Sequence, residues 1–461
     1  MSSLFAAPDA SAIPVRFVDR ASWPVRAARL AAPARGWAEA TGFTGEAGAV
    51  LLVPAPDGRI AEVHFGVEPA GSRKRDPFGP GKLATVLPAG VYAFDLEGAE
   101  AATAALAFLL GAYRFDRFRE PKPARARIVA PAGVDAARIE SIAAAVRVAR
   151  DLVNRPANDL TPTALEDAAR DVAERCGAKI KVVRGEALLA EGFPLIHAVG
   201  RAAADEPRLV DFAFGPAGAK TVTLVGKGVC FDTGGLDIKP GHAMLLMKKD
   251  MGGAAHVFGL AQMIMAHNLP VNLRVLAPAV ENSTGGNSYR PSDIIKTRKG
   301  LSVEIGNTDA EGRIVLADAL EEASRENPAL LVDFATLTGA ARVALGPDLP
   351  AMFCNDDALA DALLKSARAA EDPLWRLPLW QPYKGDLRSK VADSNNVGPG
   401  SHAGAIVAAL FLEKFVGNGI PWVHIDTFAW NPRGKPGRPE GGEALGMRAV
   451  FDLIRKKFGR K

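Results

Sequence analysis

Between residues 155 and 335, short β-branched runs alternate with longer helical ones, a pattern few folds accommodate. Residues 179–183, 209–214, 221–225, 273–280 and 330–334 read as strands. Residues 163–176, 254–267 and 314–326 between them read as helices. Such alternation predicts an α/β domain whose mainly parallel or mixed sheet is sandwiched by helices. A sheet of that kind binds ligands beyond the carboxyl ends of its strands. Ahead of it, strands near 50–53 and 61–65 and a helix over 101–113 predict a small α/β domain. A further helix, over 135–152, ends at Asn154-Arg155-Pro156, where proline stops it. The expected organisation is an N-terminal domain over 1–133, a linking helix over 134–154 and a larger domain over 155–461.

Charge is concentrated where this fold expects a site. Lys227 and Asp232 follow the strand at 221–225, and Lys239 and Asp250 come next among glycines. In Asn307-Thr308-Asp309-Ala310-Glu311-Gly312-Arg313 the two acids are two residues apart, so on an extended segment both carboxylates project to one side. Taken singly, these acids would as readily open a solvated helix, ahead of Ile314-Val315-Leu316. Taken together, four acids, two lysines and an arginine in apolar, glycine-rich surroundings are costly to bury without compensation. Divalent metal, as two ions, compensates them and points to a metal-dependent hydrolase. Carboxylate oxygens suit hard or borderline ions. The seven histidines contain no His-Glu-x-x-His pattern, which excludes a single-zinc peptidase helix as a motif.

Composition narrows the remaining classes. Three cysteines (Cys176, Cys230, Cys354) lack metal-type spacing, so disulfides are not expected and a reducing compartment fits. No basic segment followed by an apolar one opens the chain, and no apolar run approaches the roughly 20 residues a membrane helix needs. A cytoplasmic protein without a membrane partner is expected. Residues 215–221 resemble a phosphate-binding loop, yet alanine stands at 219, where glycine must precede the lysine, and a strand follows instead of a helix. Net charge of +4 implies no nucleic-acid partner by itself. DNA could meet the basic segment Arg114, Arg117, Arg119, Lys122, Arg125 and Arg127, but prolines, Asp116 and Glu120 interrupt it, and a solvated face fits better.

Several ordered segments carry a family resemblance. Val225-Gly226-Lys227-Gly228-Val229-Cys230-Phe231-Asp232-Thr233-Gly234-Gly235-Leu236-Asp237-Ile238-Lys239-Pro240 resembles the metal-binding loop of the leucyl aminopeptidase (cytosol aminopeptidase) family. Met247-Lys248-Lys249-Asp250-Met251-Gly252-Gly253 continues it, and residues 307–313 resemble that family's signature heptapeptide. Arg150-Asp151-Leu152-Val153-Asn154, Tyr289-Arg290-Pro291-Ser292-Asp293 and Ala335-Thr336-Leu337-Thr338-Gly339-Ala340 extend the likeness over about residues 150–430.

The resemblance implies a metal-dependent aminopeptidase acting on peptides with a free N-terminus, leucine-like residues preferred. Lys227, Asp232, Asp250, Asp309 and Glu311 would hold two zinc- or manganese-type ions, Asp232 and Glu311 bridging them. The hydrolytic water is one whose pKa the ions lower. Lys239 would donate to the substrate carbonyl oxygen as electrophile, and Arg313 would hold a bicarbonate ion as general base. Met247, Thr336 and Gly339 would touch substrate, and the assembly implied is a homohexamer, a dimer of trimers. His242 and His256 are expected beside the site and not as ligands, with His424 and Asp426 supporting the core and Cys230 filling space. The family pattern breaks at residues 281–286, 424–430 and 441–447, the last two where part of the specificity pocket belongs.

Overall fold

The computed structural model describes residues 4–120 and 126–459. By compactness it divides into one unit of residues 1–147 with 433–440 and a second of 148–432 with 441–461. The helix Ala136–Asn154 runs across that division. Lys122 and Arg125 of the basic segment lie outside the described residues.

The first unit is built on five strands: β1 (Ile13–Val18), β2 (Val50–Pro54), β3 (Ile60–Gly66), β4 (Gly90–Asp95) and β5 (Ala126–Ile128). Their spatial order is β2-β3-β1-β4-β5, parallel except for the β2–β3 pair. The helix Gly98–Gly111 is apolar along most of its length, because alanines and leucines let it bury nearly all round. Its Phe108 meets Phe94 of β4 edge to face, at 5.8 Å between ring centres.

The second unit carries the large sheet: β6 (Lys179–Arg184), β7 (Arg208–Phe214), β8 (Lys220–Gly226), β9 (Gly228–Asp232), β10 (Val271–Asn282), then β13 (Leu330–Ala335), β14 (Ala351–Cys354), β15 (Trp375–Arg376) and β17 (Trp422–Asp426). Small pairings use β11 (Ile294–Lys296), β12 (Ser302–Glu304), β16 (Ser394–Asn395), β18 (Trp430–Asn431) and β19 (Gly441–Gly442). The large sheet runs β15-β14-β17-β13-β8-β10-β7-β6, with β9 also paired to β10. Strands β17, β13, β8, β10 and β9 are mutually parallel, and the outer pairs β14–β17, β10–β7 and β6–β7 are antiparallel. The sheet is thus mixed around a parallel centre, as the alternation predicts.

Helices cover both faces. On one, Gly252–Ala266 is buried from Gly252 to Met265, and its His256 stacks on Phe334 of β13 at 5.3 Å. On the other, Glu311–Ser324 and Gly404–Glu413 pack Ile314, Leu316, Leu320, Leu410 and Phe411 with Leu331 and Ala335 of the same strand. Leu331, Ala335 and Phe334 alternate in direction, so one strand serves both layers. The close fit of Gly252–Ala266 depends on glycine: a Cβ at Gly253 would lie 2.1 Å from the Phe334 carbonyl oxygen. The segment 215–219 leads into β8, a strand, as the sequence reading requires.

A candidate metal centre at the carboxyl ends of the parallel strands

Each parallel strand delivers a polar residue to one end of the sheet. Lys227 follows β8, Asp232 ends β9, Asn282 ends β10, Thr336 follows β13 and Asp426 ends β17. The site therefore sits where strand direction places it. Lys227, Asp232, Asp250 and Glu311 are each 2% exposed or less. Lys239 and Asp309 are partly exposed at the mouth, and Arg313 is buried.

The heptapeptide does not run extended. Residues 307–310 form a turn, and Glu311 is the first residue of the helix Glu311–Ser324. A spacing of two fits a strand or a helix start equally well, and the turn decides it. The helix start is not solvated either, because Glu311 is buried against Lys227. Gly312 makes that contact possible: a Cβ there would come within 2.6 Å of the Lys227 ammonium nitrogen.

Two lysines thread the acids. Lys227 Nζ donates to the Thr336 carbonyl at 3.1 Å and lies 2.6 Å from Asp250 Oδ2 and 2.8 Å from Glu311 Oε1. Neither of those two oxygens accepts a well-directed hydrogen bond, although both are buried. Lys239 Nζ lies 2.9 Å from Asp232 Oδ2 and pairs with Asp309 Oδ1. Carboxylate oxygens of Asp232, Asp309 and Glu311 come within 4.8 Å of one another. Thr336 Oγ1 donates to Asp250 Oδ1 at 2.8 Å.

Charge in the cluster is unbalanced. Burial and then the Asp232 carboxylate push Asp309 up to about 6 and Glu311 up to about 8. Burial disfavours the ammonium of Lys227, but Asp250, Glu311 and Asp232 outweigh it and hold the proton above the usual lysine range. Lys239 is held the same way by Asp232, Glu311 and Asp309. Four carboxylates face two paired lysines, and the surplus negative charge, with two buried oxygens that accept no well-directed hydrogen bond, is what divalent cations would neutralise. The residues present fit a metal centre.

A cavity of about 450 Å³ opens over this cluster. Lys227, Asp232, Lys239, Asp250, Asp309 and Glu311 line it, together with Met247, Thr336 and Gly339. Arg313 does not line it. Its Nη1 donates to the Asn396 carbonyl at 2.8 Å, and its buried Nε has no partner. Burial lowers its guanidinium to about 10, against the Glu311 and Asp426 carboxylates, so it remains cationic near neutrality. His242 lines the cavity. His256 instead sits in the core, its Nε2 accepting from Leu445 N at 3.1 Å. His424 pairs with Asp333 at 2.6 Å inside the sheet, and Cys230 is buried, as expected of both.

Residues without an assigned role in the sequence hold the acids in place. Asn282 Nδ2 donates to Asp232 Oδ1 at 2.8 Å and to the Thr308 carbonyl at 3.1 Å. Tyr289 Oη donates to the same carbonyl at 2.5 Å. Thr308 Oγ1 reaches the Gly234 carbonyl at 2.6 Å, and Asp237 accepts from Thr308 N at 2.8 Å, tying the two motif loops together. Asn396 Oδ1 accepts from Gly306 N at 2.7 Å and its Nδ2 donates to the Asn307 carbonyl at 2.8 Å. Tyr289 lies in a segment that carries the family likeness, whereas Asn282 lies in 281–286, where the pattern breaks. Asn396 gave no signal, being one amide among loop residues.

Comparison with known proteins agrees with this geometry. The catalytic-domain model of the cytosol aminopeptidase family matches residues 147–451, and an M17 aminopeptidase N-terminal domain model matches 13–131. A probable cytosol aminopeptidase of Syntrophotalea carbinolica is 43% identical over 367 residues, covering 76% of this chain and 73% of that protein. One from Caulobacter vibrioides is 38% identical and covers 93% and 94%. The crystal structure of a cytosol aminopeptidase from Coxiella burnetii superposes with a TM-score of 0.95 at 46% identity, over 99% of both chains. The bottromycin maturation enzyme BotP, solved in complex with Mn, gives 0.87 at 35% identity, over 97% of this chain and all of its own. With the acid cluster and both domain matches in one chain, the protein belongs to the cytosol aminopeptidase family and is a metal-dependent exopeptidase that hydrolyses peptides from their N-termini.

Proposed function

We propose that the cavity over Lys227, Asp232, Asp250, Asp309 and Glu311 is the active site, and that these five side chains hold two ions of the zinc or manganese type. The observation that carries this is the surplus of buried carboxylates, with Glu311 pushed up to about 8 by burial and then by the neighbouring Asp232 carboxylate. Such ions would supply Lewis acidity and a water of lowered pKa. Asp232 and Glu311, two of the three acids whose oxygens come within 4.8 Å of one another, suit the bridging positions that the family resemblance implies. Lys227 must lose its proton to act as a ligand, and cations arriving beside it would favour that loss.

Lys239 keeps its proton, because two carboxylates flank it, and it opens to the cavity. It would donate to the scissile carbonyl oxygen as negative charge develops there. The partnerless Nε of buried Arg313 suits an anion such as bicarbonate, which could serve as general base only by reaching the cavity that Arg313 itself does not line. Met247, Thr336 and Gly339 would border the first residue of the peptide, and their apolar neighbours Leu337 and Ala341 suit an aliphatic stem such as that of leucine.

The test is chelation. Removing divalent ions should abolish hydrolysis of a leucyl anilide, and Mn²⁺ or Zn²⁺ should restore it. Active protein holding fewer than about one ion per chain would overturn the two-ion reading. The family likeness also supports a cytoplasmic homohexamer arranged as a dimer of trimers. Light scattering should then report six chains, and a stable monomer at working concentration would overturn that assembly. Among the described residues, no helix is long and apolar enough to cross a membrane.

A further inference from the structure

Two cations face the same cavity, and among the described residues neither is hydrogen-bonded to a carboxylate. The Lys249 side chain is 6% exposed, and its Nζ makes no hydrogen bond among the described residues. Its nearest carboxylate oxygen, Asp250 Oδ1, is 3.6 Å away and already accepts from Thr336 Oγ1. Arg342, on the short helix Gly339–Leu345, forms no ion pair among the described residues. Both lean on one ring: Lys249 Nζ is 5.2 Å from the centre of Phe428, and the Arg342 guanidinium carbon 4.8 Å. Contact with a single aromatic face offsets only part of the cost of withdrawing the Lys249 ammonium from water, while Arg342 stays exposed beside it.

The acid that remains nearby is committed. Asp426 Oδ1 accepts from the Leu337 and Thr338 amides and Oδ2 from Thr338 Oγ1. All three members of the Lys249–Phe428–Arg342 group line the cavity, beside Met247, Leu337 and Ala341. An apolar stem ending in a carboxylate would therefore find contact for its carbons and two free donors for its oxygens.

We propose that Lys249 and Arg342 form a carboxylate-recognition subsite, so that the enzyme takes peptides whose first residue is glutamate in preference to the neutral isostere glutamine. This rests on the aminopeptidase site proposed above. An exopeptidase that cuts at the N-terminus with its chemistry at the acid cluster would hold the α-amino group there, and Lys249 directly precedes Asp250 of that cluster. The first side chain, not the far end of the peptide, is then the group that reaches the two cations.

The metal-loaded enzyme would be assayed on glutamyl, glutaminyl and leucyl anilides. The expected result is a glutamyl over glutaminyl advantage in kcat/KM of about tenfold or more, the worth of one charge-assisted hydrogen bond. Arg342→Gln, at an exposed position that does not endanger folding, should lower the glutamyl-to-leucyl ratio several-fold, chiefly through KM, and Lys249→Met should lower it further. Equal rates on glutamyl and glutaminyl substrates, with leucyl cleaved, would overturn the subsite alone. Failure on all three would overturn the aminopeptidase site beneath it. If Arg342→Gln instead removes a preference for leucyl-alanine over its C-terminal amide, the carboxylate read is the peptide's own terminus and the side-chain assignment is wrong.

Discussion

Asp250→Ala should cost the protein metal and turnover together while leaving the fold standing. Asp250 is buried, and its two oxygens are committed to Lys227 at 2.6 Å and to Thr336 Oγ1 at 2.8 Å. Removing one partner of a buried ion pair usually destabilises strongly, because the other charge is stranded. Here Lys227 keeps Glu311 Oε1 at 2.8 Å, and the cluster already carries more carboxylates than lysines. The truncation relieves repulsion as it breaks the pair, so the metal-free variant should melt close to the parent. The ion sharing Asp250 and Lys227 would be left under-coordinated. Loss of a neighbour that merely orients a ligand costs about 10- to 100-fold in metal affinity or activity, and loss of a ligand should cost at least the upper end of that range. Elemental analysis and kcat measured side by side decide the matter, with partial rescue expected at high metal concentration. A variant that binds its full complement of metal would remove Asp250 from the ligand set.

The parts of this site that could be read from sequence are those whose signal is local. β8, β10 and β13 are mainly apolar, with single polar residues such as Thr223, Arg274 and Asp333, because both their faces are covered, and each lies within about two residues of its expected place. Lys227 follows one such run and Thr336 another, so their position above the sheet followed from strand direction. β9 and β17 were not legible as strands. β9 is five residues enclosed by the metal-loop motif, and β17 carries His424 and Asp426, which interrupt any apolar pattern. His424 is affordable there only because Asp333 stands opposite it in register on β13, a tertiary fact. The same holds for the heptapeptide. Its acids at a spacing of two could line a strand or open a solvated helix, and the outcome is a buried helix start that Gly312 and Lys227 fix from outside the segment. Asn282, Tyr289 and Asn396 act through a few hydrogen bonds to distant loops, and a neutral amide or phenol in a sequence carries no mark of such partners.

Lys239→Ala should have the opposite signature from Asp250→Ala, with turnover lost and metal kept. The side chain stands at the cavity mouth, 2.9 Å from Asp232 Oδ2 and paired with Asp309, so it competes with cations for these carboxylates. Deleting a competing positive charge cannot weaken a metal site by electrostatics; occupancy should hold or rise. What disappears is a protonated donor aimed into the cavity. A carbonyl oxygen carries little charge in the bound substrate and nearly a full charge as water adds to its carbon, so the ammonium acts mainly on the transition state. Removal of one such donor typically lowers kcat by about 10²- to 10³-fold, and a fall of about 10²-fold or more is expected here with a smaller change in KM. Thermal stability should barely move, since Asp232 retains Asn282 Nδ2 and the Gly234 amide at 2.8 Å each. Metal content, kcat and KM on one leucyl substrate suffice as the measurement. Near-normal turnover at full metal occupancy would show that Lys239 is not the electrophile, and the carbonyl oxygen would have to be polarised by the metal centre alone.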